Sequence, residues 1–229
     1  MNYYYRMNIA LIVFAGSGTR MQNEVPKQFI KINDIDLVVH TIKKFNENPN
    51  IDEIDLVTSE PYLPYVEEYK DKYHLNKINK VIKGGETRQE SVRLGLEALD
   101  ADEDDNVLIH DGDRPLVSNV IINQCVDFLT EYKAVTPYLD QKDRHPELSN
   151  SGRTILLEGK NVDIQTPQAF KYRLIKNAHI ENKDKVFSDD ISLVENDVEV
   201  HYFEGDKDNF KVTKKQDLEF LEKLLEEQQ

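Results

Sequence analysis

A single cysteine, Cys125, leaves no partner for an internal disulfide, and this fits a reducing, cytoplasmic setting. It lies in an apolar pattern with Val120 and Ile121 and reads as core packing. No apolar run approaches the roughly 18 residues that a membrane span needs. The opening residues Met1-Asn2-Tyr3-Tyr4-Tyr5-Arg6 have neither an apolar centre nor a small-residue cleavage site. They therefore do not read as a signal peptide but as a leader, 1–6, with Met7 the natural beginning. Basic residues are in deficit: Lys and Arg number 29 against 43 Asp and Glu, a net charge of −14. Nucleic acid as a partner wants a basic face, and this charge argues against it. No internal repeat and no low-complexity linker appears, and 229 residues suit one domain, 7–229.

The densest chemistry lies near the beginning. Residues 9–14 form an apolar run that predicts a buried strand. The loop Ala15-Gly16-Ser17-Gly18 follows at once, and Arg20 and Lys27 come soon after. Glycines at a strand end let backbone N–H groups turn toward an anion. Two cations on the same loop point to a nucleoside triphosphate. A dinucleotide-binding loop would carry a third glycine where Met21 stands, and a P-loop would end in Gly-Lys-Ser/Thr; both are missing. The overall acidity does not oppose a phosphate ligand. A cation 4 Å from a phosphate interacts at roughly 4 kcal/mol at an effective dielectric near 20, while distant exposed charge is screened.

Downstream, helical and strand-like segments alternate. Strands are predicted at 51–58, 79–82, 107–110 and 198–203, and helices at 37–45, 62–73, 90–99, 117–129, from 171 onward and at 216–225. The tyrosines Tyr65, Tyr69 and Tyr73 read as core, and the acidic run 100–105 as a solvated loop. This rhythm predicts an α/β fold with a Rossmann-like, mostly parallel sheet flanked by helices. It would bind its ligand beyond the carboxyl ends of the strands. The rhythm breaks between 134 and 168. There, two extended segments are expected to form a protruding β-arm, 136–160, that packs on a second copy of the chain.

The string Ala15-Gly16-x-Gly18-x-Arg20-Met21 followed by Pro26-Lys27-Gln28-Phe29 resembles the signature of the polyol-phosphate cytidylyltransferases. These include the ribitol-phosphate and methylerythritol-phosphate enzymes, with the fold of nucleotide-diphospho-sugar transferases. Four more stretches follow that family's order. The resemblance implies that Phe14, Ala15, Gly16, Ser17 and Gly18, with Gly85, Glu86, Thr87, Arg88 and Ser91 of the Gly84-Gly85 loop and Gly112, bind CTP. It implies that Asp111, in His110-Asp111-Gly112-Asp113-Arg114-Pro115, holds Mg²⁺. Arg114, Thr166 of Thr166-Pro167-Gln168, and Asp208 of Asp208-Asn209-x-Lys211-Val212-Thr213 would face the acceptor. Arg20, Lys27 and Lys211 are the implied catalytic cations. Asp113 replaces a position that is commonly uncharged in the family, and His110 reads as structural. Ungapped counting puts Glu158 where the family carries an arm arginine for the acceptor's phosphate. Lys160 or Arg153 would have to substitute.

The implied reaction joins CTP to a polyol phosphate, giving a CDP-polyol and pyrophosphate in the cytoplasm, by a homodimer exchanging arms and without nucleic acid or membrane. A ribitol 5-phosphate-like acceptor, used in teichoic acid or capsule synthesis, is the first expectation. 2-C-methyl-D-erythritol 4-phosphate, used in isoprenoid synthesis, is the alternative. The rival classes are a nicotinamide-dependent oxidoreductase, which lacks its third glycine, and a non-catalytic nucleotide sensor, which would not need Arg20 and Lys27.

Overall fold

The computed structural model describes residues 6–16, 25–148 and 152–227. The chain begins with β1 (Asn8–Val13), passes a 3-10 turn at Lys27–Phe29, and forms the small ribbon β2 (Lys31–Ile32) and β3 (Ile35–Asp36). Next come α1 (Leu37–Glu47), β4 (Glu53–Thr58), the short helices α2 (Leu63–Glu67) and α3 (Tyr69–Lys72), and β5 (Ile78–Lys83). Then follow α4 (Arg88–Ala98), β6 (Asn106–Asp111), α5 (Asn119–Phe128) and β7 (Ala134–Asp140). The last part holds β8 (Thr154–Leu157), β9 (Lys160–Ile164), β10 (Gln168–Lys171), α6 (Tyr172–Glu181), β11 (Val200–Glu204) and α7 (Lys215–Glu227).

The sheet runs β5-β4-β1-β6-β10-β7-β9-β8, with β11 beside β7. Strands β5, β4, β1 and β6 are parallel, as is the β7–β11 pair. The pairings of β10, β9 and β8 are antiparallel. The chain moves outward from β1 on one side to β4 and on the other to β6. That reversal opens a crevice at the carboxyl ends of β1 and β6, where the glycine loop and Asp111 lie.

Apolar residues on both faces explain the buried strands. Ala10, Ile12, Ile54, Leu56 and Leu108 pack under α1 and α5, while Leu11, Val57, Val107 and Ile109 pack under α4 and α6. Local signals set the helix starts. Thr87 Oγ1 accepts the Glu90 N–H at 3.0 Å, and the Glu90 carboxylate takes the Glu86 N–H at 2.8 Å, close to a capping box. Asp217 accepts the N–H groups of Thr213 and Lys214, each at 2.8 Å, ahead of α7. Among the described residues no helix is long and apolar enough to cross a membrane.

Two expectations need adjustment. The helix expected at 62–73 divides into α2 and α3 around Glu68, with a 3-10 turn at Glu60–Tyr62 before them. Pro61 and Pro64 cannot donate to a helical ladder, which explains its ragged beginning. Its tyrosines are core as expected: Tyr69 is fully buried, and Tyr65 and Tyr69 donate to Asp36 at 2.8 and 2.5 Å. The arm expected at 136–160 is shorter than that span. β11 pairs along one edge of β7, and β9 and β10 pair at successive stretches of β7, so Thr136 and Leu139 belong to the sheet interior. What stands out is the β8–β9 hairpin, turned at Glu158 (φ 48°) and Gly159 (φ 81°). This is the positive-φ pair of a tight two-residue hairpin turn.

Candidate active site

Three loops meet at the crevice, drawn together by close glycine contacts. A Cβ on Gly84 would lie 2.4 Å from Ala15 Cβ, and one on Gly112 would lie 2.8 Å from Phe14 Cβ. Only glycine lets the Gly84-Gly85 loop and the end of β6 approach the end of β1. Gln28, nearly buried, donates to Phe14 O at 2.8 Å and Gly16 O at 2.7 Å. It thereby ties the segment carrying Lys27 to the start of the glycine loop. Arg20, Ser17 and Gly18 lie outside the described residues.

At the bottom of the crevice, cations surround Asp111. Arg88 Nε donates to its Oδ1 at 2.9 Å, Lys211 Nζ to its Oδ2 at 3.0 Å, and Arg114 Nε lies 3.5 Å from Oδ2. Burial alone would raise the Asp111 carboxyl, but Lys211, Arg88 and Arg114 overcome it and hold the group well below the usual carboxylate range. Asp113 sits alongside. Lys27 Nζ is 2.5 Å from its Oδ2 and Lys211 Nζ 3.8 Å from its Oδ1. Against its own burial, Lys211 and Lys27 lower this carboxyl too. The crevice thus gathers Lys27, Arg88, Arg114 and Lys211, an electropositive spot on an acidic chain.

Behind this cluster is a neutral buried layer. Burial pushes the His110 pKa down to about 4. Its Nε2 lies 3.1 Å from the Arg114 carbonyl, which can only accept, so the proton sits on Nε2. Nδ1 then accepts the Thr166 hydroxyl at 3.0 Å, and Thr166 Oγ1 accepts the Asp111 N–H at 3.2 Å. His110 is structural, as the sequence suggests. Thr166, expected at the acceptor, has its hydroxyl bound to the end of β6 and precedes a cis bond to Pro167. Asn209 anchors the C-terminal loop, donating to Thr166 O at 2.8 Å and receiving Arg114 Nη1 on its carbonyl at 2.8 Å.

The remaining candidates divide. Gly85 and Ser91 shape the Gly84-Gly85 loop: the Gly85 N–H donates to Ser91 Oγ at 3.1 Å, and Ser91 donates to Thr87 O at 2.8 Å. Ser91 is 1% exposed, so its hydroxyl works within the loop, while Glu86 is exposed above it. Asp208 accepts His145 Nε2 at 2.7 Å. Lys160 opens β9 and is exposed at the hairpin tip. Arg153 forms a two-pronged pair with Glu195 at 2.8 and 2.8 Å and a third contact with Asp189 at 3.1 Å, so it is committed within its own chain. Sequence reasoning passed over Asp190 and His179. Asp190 Oδ2 lies 2.8 Å from Arg88 Nη2, and its Oδ1 lies 3.0 Å from His179 Nε2. The Asp189-Asp190 pair was visible in the sequence, but nothing local pointed it at Arg88.

The family model described as IspD, 2-C-methyl-D-erythritol 4-phosphate cytidylyltransferase, matches residues 8–227. The chain belongs to this family. The protein is accordingly a cytidylyltransferase, in the wider class of nucleotidyltransferases. The 2-C-methyl-D-erythritol 4-phosphate cytidylyltransferase of Clostridium novyi (strain NT) is 40% identical over 225 residues, covering 96% of each chain. The enzyme of the same name from Clostridium beijerinckii is 41% identical over 215 residues, covering 91% of this chain and 94% of its own. The crystal structure of 4-diphosphocytidyl-2C-methyl-D-erythritol synthase from Anaerococcus prevotii DSM 20548 superposes with a TM-score of 0.76 at 29% identity, covering 96% of each chain. These relatives favour the methylerythritol-phosphate alternative over the ribitol-phosphate acceptor expected first.

Proposed function

We propose that the protein transfers CMP from CTP to 2-C-methyl-D-erythritol 4-phosphate, releasing pyrophosphate and supplying isoprenoid synthesis. The observation that carries the reading is the convergence of Lys27, Arg88, Arg114 and Lys211 on the carboxylates at the end of β6, in a chain whose relatives share that activity by name. Such a cluster suits two polyanions brought together. The acceptor phosphate, with a second pKa near 6, is already mostly a dianion at neutral pH. It attacks the α-phosphorus in line and needs neither a general base nor a covalent intermediate. The protein positions both phosphates and stabilises charge at the transferring group. Lys27 and Lys211 are assigned to that task, with Arg20 from the glycine loop. Phe14, Ala15 and Gly16 would border the nucleotide, and Gly85 and Glu86 its base.

Mg²⁺ fits the donor set. Asp111 and Asp113 are buried oxygen donors converging on a position now held by the Lys211 ammonium. Asp113 Oδ1 is buried without a hydrogen bond among the described residues. Asp111 would hold the ion together with the nucleotide's phosphates, in the manner typical of Mg²⁺. When bound, the ion would offset repulsion between the reactants. A homodimer is also proposed. β8 ends the sheet, and its Leu156 is 73% exposed, an apolar edge that a second copy would cover.

The test is pyrophosphate release from CTP with 2-C-methyl-D-erythritol 4-phosphate and, separately, ribitol 5-phosphate. The methylerythritol compound is expected to give the higher kcat/KM. Preference for ribitol 5-phosphate would reverse the assignment of the acceptor.

A further inference from the structure

Asp113 closes a ring of three contacts. Its carbonyl accepts the Val212 N–H at 2.8 Å. The Val212 carbonyl accepts Lys27 Nζ at 2.8 Å. Lys27 Nζ returns to Asp113 Oδ2 at 2.5 Å. The residue before Val212 is Lys211, whose Nζ lies 3.8 Å from Asp113 Oδ1 and 3.0 Å from Asp111 Oδ2. One carboxylate, on a residue 8% exposed, therefore holds a lysine from the glycine-loop segment and attracts a second from the C-terminal loop. These two ammonium groups would otherwise repel each other.

A carboxylate at this position gains nothing from meeting a phosphate directly, since like charges repel. Its value to a phosphate site has to pass through the cations it holds. An exposed ion pair would fix neither partner well. Here a backbone carbonyl takes a second proton of the same ammonium, and the backbone N–H beside that carbonyl is bound to Asp113 itself. We propose that Asp113 is a positioning residue for the transfer step, holding the Lys27 ammonium on Val212 and beside Lys211 so that both cations address the reacting phosphates in one fixed arrangement. This rests on the transferase reading above and deepens it.

The experiment is a double-mutant cycle of Asp113→Asn and Lys27→Ala, with kcat and the KM for CTP measured separately. Asparagine keeps the shape and removes the charge. In Asp113→Asn, kcat is expected to fall by about tenfold or more, because a misplacement near 1 Å can cost on the order of 10²-fold. The KM for CTP should change much less than kcat, because Asp111 is left to hold the ion and the remaining cations still bind the triphosphate. A role in folding alone would not produce that split. In the Lys27→Ala background, Asp113→Asn should cost clearly less than in the wild type, because only its hold on Lys211 is then left to lose. If Asp113→Asn fails to fold, Asp113→Ser takes its place in the same cycle. Wild-type kcat in the Asp113 variant, or two losses that multiply in the double variant, would overturn the proposal and leave the transferase reading standing. A wild-type protein that releases no pyrophosphate from CTP and methylerythritol phosphate would overturn both.

Discussion

Arg88 Nη2 lies 2.8 Å from Asp190 Oδ2 while the Nε of the same guanidinium donates to Asp111. One planar group is thereby held on two sides. Against the cost of its burial, Asp190 and Asp111 raise its already high pKa, so its charge is permanent. Asp190→Asn is expected to release one side of Arg88 and reduce kcat/KM for CTP by about tenfold, the scale of one charge-assisted contact. Steady-state kinetics at saturating acceptor reads this. Unchanged kinetics would mean that Asp111 alone positions Arg88.

Lys27→Ala and Lys211→Ala should each lower kcat by about 10²–10³, the usual loss for one preorganised charge contact. CTP binding measured by calorimetry should weaken much less. Near-normal turnover in either variant would remove that lysine from the chemistry.

Asp55 on β4 is fully buried, with Glu53 and Lys80 as its polar neighbours. Burial, helped by repulsion from Glu53, pushes its pKa up to about 7. The folded state then keeps a proton that the unfolded state has already released, so stability from this group falls as pH rises from about 4 to about 7. The difference has an upper bound of about 4 kcal/mol, at about 1.36 kcal/mol per pKa unit. Asp55→Asn should come closest to the wild type near pH 4, the lower end of that window, and melt several degrees higher near pH 8. Parallel melting curves across that range would show that Asp55 does not titrate in this window.

Arg153 is bound to Glu195 and Asp189, whereas Lys160 is exposed at the hairpin tip. Arg153→Ala should therefore destabilise the fold by about 1–3 kcal/mol, because it leaves two carboxylates unpaired. Lys160→Ala should leave the melting temperature unchanged and raise the acceptor KM while sparing that of CTP. A selective rise in acceptor KM in Arg153→Ala, without loss of stability, would give the acceptor role to Arg153 instead.

The sequence was most legible where function and local structure coincide. The apolar run of β1, the Gly84-Gly85 loop before a capped helix, and Asp111 at the end of a buried strand each carried their own signal. The segments around Lys27, Asp111, Arg114, Thr166 and Lys211 do meet at one crevice. Partners set by long-range packing carried no such signal. Nothing near Thr166 shows that its hydroxyl goes to His110. Nothing near Arg153 reveals Glu195. The arm was drawn too long because an extended segment looks the same whether it projects or lies between two other strands, as β7 does.

The two neighbouring carboxylates at 189 and 190 face different parts of the molecule. Asp189 grips Arg153 at the root of the β8–β9 hairpin, and Asp190 grips the Arg88 guanidinium beside Asp111. A single peptide link acts as the axle between them. If a second copy covered Leu156, as proposed, a pull on the hairpin would arrive next to the residue that holds the arginine bracing Asp111. Occupancy of the edge strand and the setting of Arg88 would then share the same short segment.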